Sequence, residues 1–230
     1  MLHRLFVLLS PADWAALALF LAGWFGYSFY ADRAARGAKG LRGVTHRHRL
    51  QWAHEMVRRE NRITDAALTG NLMSSVSFYA NTTIYIIAGL IAVAGTLDKL
   101  ISITEDLPFA RVQSKELIEA KVLLLIGVFV FAYFKFTWSL RQFNFLSILI
   151  GGAPDRTSPG EVLDRYAERY GTVNTLAGDE FNRGIRAYYF GFAALGWFVH
   201  PALYAALTLL ILFVLWRRDF SSQTLDAMRM

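Results

Sequence analysis

Four long apolar segments constrain what this chain can fold into more than any other feature. Each is long enough to cross about 30 Å of hydrocarbon, which takes roughly 20 helical residues at 1.5 Å per residue. The segments run over residues 12–30, 72–97, 122–140 and 187–216. Tryptophan and tyrosine residues lie near their ends, as is typical at membrane–water interfaces. The sequence therefore predicts an all-α polytopic membrane protein with four transmembrane helices, organised as a single integral membrane domain over residues 1–230.

The residue types exclude several classes of chemistry. The chain contains no cysteine, which excludes disulfides, thiolate metal sites and a cysteine nucleophile. It also lacks the spacing of a nucleophile elbow, a phosphate-binding loop or a metal-binding triad. His46, His48 and His54 lie among cations, with no carboxylate at ligand spacing. We therefore expect no enzymatic activity, no cofactor and no metal site.

Basic residues between the apolar segments predict the orientation of the chain. Residues 32–70 hold nine Lys and Arg residues and residues 135–186 hold seven, against eight in the rest of the chain. Basic flanks are retained on the cytoplasmic side. Segments 32–70 and 141–186 are therefore predicted to be cytoplasmic, with both termini periplasmic, in a bacterial inner membrane. Arg217 and Arg218, directly after the last apolar segment, oppose this orientation.

The basic segments themselves are expected to form helices outside the apolar spans. Residues 47–62 show apolar positions at helical spacing with arginines on the other faces, which predicts an amphipathic helix on anionic lipid rather than a nucleic-acid site. Three glycines before it predict a flexible linker: Gly37, Gly40 and Gly43. A capping-box pattern starting at Ser158 predicts a short helix that stops at Gly171.

The first half of the second apolar segment is unusually polar. Residues three and four positions apart form one polar face over about four helical turns. Its members are Asn71, Ser74, Ser75, Phe78, Asn81 and Thr82. Lipid does not tolerate such a face, so it must meet protein or water. Two interpretations stay open, because small and polar residues either pack a helix interface or line a hydrated path.

The third apolar segment carries a second polar stripe, formed by Lys135, Ser139 and Gln142. Both stripes lie in the half of the bilayer nearer the basic segments, so they are expected to be able to face one another. Lys135 has three interpretations: it snorkels to the headgroups, pairs with Asp65, or attracts an anion. A charged cytoplasmic cluster is expected from Arg62, Asp65, Arg141, Arg183 and Arg186.

The fourth apolar segment is interrupted by His200 and Pro201. Proline kinks a helix and frees the carbonyl four residues earlier, here that of Trp197, which then needs a partner. His200 is either a titrating group that gates a pore or relays a proton, or a neutral structural ring bonded to a neighbouring helix. His200 and Pro201 are therefore candidates for gating or hinge residues.

Three runs of this sequence, over residues 60–83, 135–145 and 181–190, resemble the signature of an uncharacterised membrane family, domain of unknown function 599. They occur in matching order along much of the chain. Where the family typically reads Phe-Phe-Ala-Ser-Thr-Thr, this chain has Tyr79 and Asn81 in the run Phe-Tyr-Ala-Asn-Thr-Thr. The resemblance implies a four-span membrane protein of bacteria and plants, and it implies no activity.

These features lead to two functional hypotheses. In the first, the protein is a homo-oligomeric ion channel or small-solute pathway, because four helices leave little room for a water-filled lumen within one chain. The polar face of the second span would line the path, and the basic segments would form its vestibule. In the second, the protein is a non-catalytic scaffold or accessory subunit whose polar stripes are buried against each other or a membrane partner. Small-residue pairs allow close helix contacts at Ala88 with Ala92 and at Ala202 with Ala206.

Overall fold

The fold is all-α in the residues that the computed structural model describes, which are 9–37, 39–97 and 114–229 without the side chain of Arg36. No β-strand occurs in these ranges. Arg4, Lys99 and Arg111, which contributed to the predicted orientation, lie outside them. The helices are α1 (Pro11–Arg36), α2 (Gly40–Arg58), α3 (Ile63–Ala94), α4 (Lys115–Gly151), α5 (Gly160–Val199), α6 (Pro201–Phe220) and α7 (Gln223–Ala227).

Four helical stretches are long and apolar enough to cross a membrane, which confirms the predicted fold class. They are Pro11–Ala35, Ile63–Ala94, Lys115–Gly151 and Pro201–Ala227. The first three begin earlier than the apolar segments do, because helical hydrogen bonding continues into the polar flanks. At the start of α1, Ser10 and Asp13 form reciprocal side-chain to backbone hydrogen bonds of 3.1 and 3.2 Å. This capping box satisfies amide groups that a helix start leaves unpaired.

The fourth apolar segment differs from its prediction, because it is divided into two helices at His200. α5 ends just before this residue and α6 begins at Pro201. A Cβ added to Gly196 would lie 2.7 Å from a methyl carbon of Leu207. Residues eleven positions apart in a straight helix are separated by about 16 Å. The chain therefore reverses at His200 and Pro201, and the start of α6 packs back against the end of α5, instead of forming one span over 187–216.

The chain forms two compact units. Five helices have one end in unit 1 and the other end in unit 2. Unit 1 comprises the described residues of Met1–Ala31, Thr82–Ala132 and Ile185–Arg217. Unit 2 comprises those of Asp32–Asn81, Tyr133–Gly184 and Arg218–Met230. The helices shared in this way are α1, α3, α4, α5 and α6. The organisation of the chain as one integral membrane domain stays a prediction.

Aromatic side chains form the centre of unit 1. The ring of Phe20 lies 5.6 Å from that of Phe190 and 5.1 Å from that of Tyr204, measured between centroids. Trp24 stacks on Phe190 at 5.8 Å. All of these side chains are buried. Large rings from α1, α5 and α6 therefore pack together in this unit, as aromatic pairs favour such contacts.

The C-terminal part of the chain lies in unit 2 and packs against the start of α2. Gly40 has a positive φ of 71°, and a Cβ there would lie 2.8 Å from both the carbonyl oxygen of Asp219 and the ring of Phe220. The end of α6 thus shares a unit with segment 32–70. The C-terminal part therefore lies on the same side as segment 32–70, which differs from the prediction that it lies opposite that segment, because Asp219 and Phe220 contact the start of α2. Arg218, whose position opposed the predicted orientation, lies in the same unit as the basic segment 32–70.

Helix α5 is continuous over 40 residues, whereas the sequence predicted a stop at Gly171. Gly171 and Gly178 lie inside this helix at places where α2 approaches closely. A Cβ on Gly171 would lie 2.6 Å from Leu50, and one on Gly178 would overlap the guanidinium of Arg49. These glycines therefore serve helix packing rather than helix termination. The linker predicted before α2 is likewise replaced by helix from Gly40 onward.

Candidate functional site

Six residues on one side of α3 lie on the outside of the described chain. We call them the polar α3 face: Asn71, Ser74, Ser75, Phe78 and Asn81, which are exposed, and Thr82, which is half-buried. Phe78 leaves 65% of its surface exposed. Ser75 donates a hydrogen bond of 3.1 Å to the carbonyl of Asn71. The side chains of Asn71, Ser74 and Asn81 make no hydrogen bond within the described residues.

The buried side of α3 uses other polar residues. In unit 2, the hydroxyl of Thr69 lies 3.3 Å from that of Tyr170. In unit 1, the hydroxyl of Thr83 lies 2.7 Å from that of Tyr188. Val76 is buried on the same side of the helix. Thr69, Val76 and Thr83 therefore form the inward side of α3, and Asn71, Ser74 and Asn81 lie on the other side.

Helix α3 is also the least buried of the four candidate spans. Only 17% of its most apolar stretch is buried within the chain, compared with 44% for that of α4. A peripheral helix that meets only lipid presents apolar side chains outward, since unsatisfied polar groups are costly in hydrocarbon. α3 exposes apolar side chains such as Leu72 and Ile84, but it also exposes two asparagines and two serines on one side. The polar α3 face therefore has the character of a surface for protein or water.

The stripe on α4 faces α5 and not the polar α3 face. The amine of Lys135 lies 2.8 Å from a carboxylate oxygen of Glu180. The hydroxyl of Ser139 donates to the carbonyl of Ala177 at 2.7 Å. Gln142 is buried, and its amide oxygen has no hydrogen-bond partner in the described part of the chain. The expectation that the two stripes face one another is wrong, because one is buried on α5 and the other is exposed.

Lys135 ends a chain of ion pairs that connects α1, α2, α4 and α5 within unit 2. We call it the ion-pair chain: Asp179–Arg42 at 2.7 Å, Arg42–Asp32 at 2.5 Å, Asp32–Arg183 at 2.7 Å, Arg183–Glu180, and Glu180–Lys135 at 2.8 Å. Three cations neutralise three carboxylates. Burial alone would lower the pKa of Arg42. The negative charges of Asp179 and Asp32 have a larger effect in the opposite direction, so the pKa of Arg42 is raised. Burial is outweighed in the same way at Arg183, whose pKa is also raised.

The residues predicted to form one charged cluster lie in several separate places. Arg183 belongs to the ion-pair chain. Arg141 is exposed and lies over the ring of Phe145, with its guanidinium carbon 5.9 Å from the centroid. Arg186 is buried in unit 1. The sequence alone did not show these differences, because they depend on which face of α4 or α5 each residue occupies.

Asp65 and Arg62 stabilise the turn between α2 and α3. Asp65 is fully buried, and one of its carboxylate oxygens accepts hydrogen bonds from Trp52 at 2.7 Å and from Arg59 at 2.6 Å. It is therefore not the partner of Lys135. Arg62 donates to the carbonyl of Pro154 at 2.7 Å and to two carbonyls at the end of α2. These bonds satisfy carbonyls that a helix end leaves unpaired, which gives this part of the sequence a structural role.

Two buried charged residues in unit 1 were missed by the sequence interpretation. Lys121 donates a hydrogen bond of 2.6 Å to the carbonyl of Trp197. Asp13 accepts a hydrogen bond of 2.9 Å from the indole of the same Trp197. This carbonyl is the one that Pro201 was expected to leave without a helical partner. A search for a donor to that carbonyl would have pointed to a buried cation, since such groups are rarely left unpaired.

His200 and Pro201 lie at the junction between α5 and α6. The imidazole Nδ1 of His200 accepts a hydrogen bond of 3.1 Å from the backbone amide of Ala202. Pro201 occupies the first position of α6, where a missing amide hydrogen costs nothing. His200 itself is exposed. The histidine therefore caps the helix that follows it, a local contact that the sequence interpretation did not include.

The three histidines of α2 have separate partners. His46 lies 2.8 Å from the hydroxyl of Thr175, His48 lies 2.9 Å from the carbonyl of Met228, and His54 lies 3.3 Å from Asp164. Across residues 9–37, 39–97 and 114–229, no three His, Asp or Glu side chains are grouped so that they could hold a metal ion.

Comparison with known proteins places the chain in a family whose function is not known. No curated protein sequence and no solved structure matches it. A family model described as "Protein of unknown function, DUF599" matches residues 15–224. This range contains the polar α3 face, the ion-pair chain and the junction at His200. The chain therefore belongs to the DUF599 family of proteins.

Proposed function

We propose that this protein is a non-catalytic membrane protein whose copies assemble around an axis, with the polar α3 face lining a path for ions or small solutes. The exposure of that face on the least buried span is the observation that carries the proposal. Homo-oligomers with closed symmetry place the same surface of every copy around one axis. Rings of polar side chains formed in this way are the usual lining of a membrane pore.

The cost of leaving the polar α3 face in lipid supports assembly. Each unsatisfied amide or hydroxyl costs roughly 2 kcal/mol or more in an apolar medium. Asn71, Ser74 and Asn81 present such groups without partners in the described chain. From Asn71 to Thr82 the helix rises by about 16 Å, which is about half of a hydrocarbon core. Assembled copies would therefore line half of the membrane with polar groups.

Phe78 gives this path a candidate constriction. Its ring is 65% exposed and lies in the middle of the polar α3 face. Rings of apolar side chains gate pores by excluding water from a narrow section. We propose that the Phe78 rings of neighbouring copies form the narrowest part of the path.

An accessory-subunit role is the second candidate function, and a different observation favours it. A Cβ on Gly70 or Gly89 of α3 would have no atom within 4 Å, and Ala88 and Ala92 are exposed. Such small residues allow a second helix to approach closely. In this case the polar α3 face would be covered by a membrane partner and would contain no continuous water.

Single cysteines on α3 test assembly and hydration together, because the natural chain has no cysteine. With Ser74→Cys, we expect oxidation in membranes to cross-link copies and a charged thiol reagent to modify the residue. Ala80→Cys, on the buried side of α3, is the control and should show neither. Cross-linking without reagent access would favour the accessory subunit. Absence of both at Ser74 and at Asn81 would contradict the proposed assembly.

For orientation, we propose a bacterial inner membrane with unit 2 on the cytoplasmic side. The ranges of unit 2 hold more than two thirds of the 24 Lys and Arg residues. Basic residues next to spans stay cytoplasmic, where they also meet anionic lipid. α1 is a candidate span that leads into segment 32–70, so its start would be periplasmic, whereas the C-terminal part, which contacts the start of α2, would be cytoplasmic.

Reporter fusions after residue 230 test this orientation. We expect a fused green fluorescent protein to be fluorescent and a fused alkaline phosphatase to be inactive, because the first folds in the cytoplasm and the second requires the periplasm. The same reporters inserted before residue 9 should give the opposite pair of results. An active phosphatase at the C-terminal end would contradict the proposed orientation.

A further inference from the structure

Helices α2 and α5 lie antiparallel in unit 2, and their contacts fix which residues are opposite one another. Arg42 pairs with Asp179, and further along α2 the ring of His46 lies 2.8 Å from the hydroxyl of Thr175. Further still, Leu50 contacts α5 one turn before Thr175, at Gly171. Arg49 therefore faces the part of α5 between Gly171 and Asp179. Both helices are outside the four candidate spans.

Arg49 is a half-buried cation that has no hydrogen-bond acceptor among the described residues. Its guanidinium lies directly against Gly178, where any Cβ would overlap it. It makes no hydrogen bond and no ion pair within the described residues. Burial lowers the pKa of Arg49, the nearby Asp179 partly offsets this, and Arg42 lowers it further. Asp179 is itself paired with Arg42 at 2.7 Å, so its charge is already neutralised.

Asn174 supplies a second unpartnered group on the same side of α5. It lies one turn before Gly178, so the two residues share a helix face. Asn174 is 0% exposed. Neither its amide nitrogen nor its amide oxygen has a hydrogen-bond partner in the described part of the chain. Buried amides are almost always hydrogen-bonded. An orphaned amide on the same face of α5 as Gly178, against which the guanidinium of Arg49 lies, points to a ligand.

We propose that Arg49 and Asn174 form a binding site for a phosphate-class oxyanion, either inorganic phosphate or the phosphodiester of an anionic lipid headgroup. The guanidinium offers a planar fork of donors that matches two oxygens of such an anion. The amide nitrogen of Asn174 donates to a third oxygen from α5. The absence of a side chain at Gly178 lets the guanidinium of Arg49 lie directly against α5. This site is independent of the pore, because its residues are not part of the polar α3 face.

The test is phosphate binding by the purified full chain in detergent, measured as the shift in melting temperature. Inorganic phosphate should raise the melting temperature of the wild type more than sodium chloride of equal ionic strength does. Arg49→Gln should weaken the apparent affinity at least about tenfold. Arg47→Gln is the matched control, since Arg47 is exposed on the same helix and loses the same charge. It should leave the affinity unchanged.

A second arm identifies the source of the phosphate group. Native mass spectrometry of the protein with phosphatidylglycerol, compared with phosphatidylcholine, should show retained anionic lipid that Arg49→Gln removes and Arg47→Gln keeps. A response to inorganic phosphate alone identifies a free anion, and retention of phosphatidylglycerol alone identifies a headgroup. Asn174→Leu should weaken whichever binding is seen. Binding that is absent in both arms, or that Arg49→Gln leaves unchanged, would overturn the proposal.

Discussion

Replacement of Arg42 by alanine is expected to lower the free energy of unfolding by about 3 kcal/mol, the cost of removing one partner from a buried ion pair. The Arg42 side chain is only 9% exposed and contacts both Asp32 and Asp179. Its loss would leave Asp179 without its ion-pair partner and Asp32 paired with Arg183 alone. Equilibrium unfolding of the purified protein in mixed micelles with increasing dodecyl sulfate, followed by tryptophan fluorescence, measures the change.

Arg58 on the same helix provides the matched control. It pairs with Asp164 at 2.9 Å, but the two side chains are 52% and 51% exposed. Exposed pairs contribute less than about 1 kcal/mol, because water screens the charges. Arg58→Ala should therefore lower the stability of the protein far less than Arg42→Ala. Equal losses for the two variants would contradict the role that we assign to the ion-pair chain.

Helices and their apolar character were predictable from the sequence because they depend on local patterns. The three polar runs that resemble DUF599 also identified the family correctly, as the match over residues 15–224 shows. Helix ends were less accurate. Gly171 was interpreted as a stop because glycine is common at helix ends, but contact with Leu50 keeps it within α5.

The chain reversal at His200 shows a limit of the hydropathy pattern. Within the apolar stretch over 187–216, His200 is the one polar residue that indicates a boundary between two helices. A proline after a histidine indicated a kink. The pattern does not distinguish a kink from a full reversal, which depends on contacts such as that between Gly196 and Leu207.

The composition of the polar α3 face was predictable, but the direction in which it points was not. Helical spacing groups Asn71, Ser74 and Asn81 whatever surrounds them. Whether they turn inward depends on which neighbours are available, and Thr69 and Thr83 make the inward contacts instead. Charge pairing was likewise beyond local patterns. Lys135 pairs with Glu180 from a distant part of the sequence.

Leucine substitutions in the polar α3 face are expected to remove most of the permeation while leaving the protein inserted and assembled. Asn71→Leu and Ser74→Leu each replace an exposed polar group that would solvate the permeating species. Losing one such group costs roughly 2 kcal/mol, and about 1.4 kcal/mol corresponds to a tenfold change in rate. Each variant should therefore lower conductance at least about tenfold. Asn144→Leu, an exposed asparagine on α4, is the matched control and should conduct as the wild type does.

Ionic current through planar bilayers that contain the purified protein tests the proposed pore most directly. We expect discrete current steps from the wild type and from Asn144→Leu, with little current from Asn71→Leu or Ser74→Leu. A charged thiol reagent should block current through Ser74→Cys and leave the cysteine-free wild type unaffected. Absence of current from the wild type across a broad panel of ions and pH values, or current that the reagent and both leucine variants leave unchanged, would contradict a pore lined by the polar α3 face.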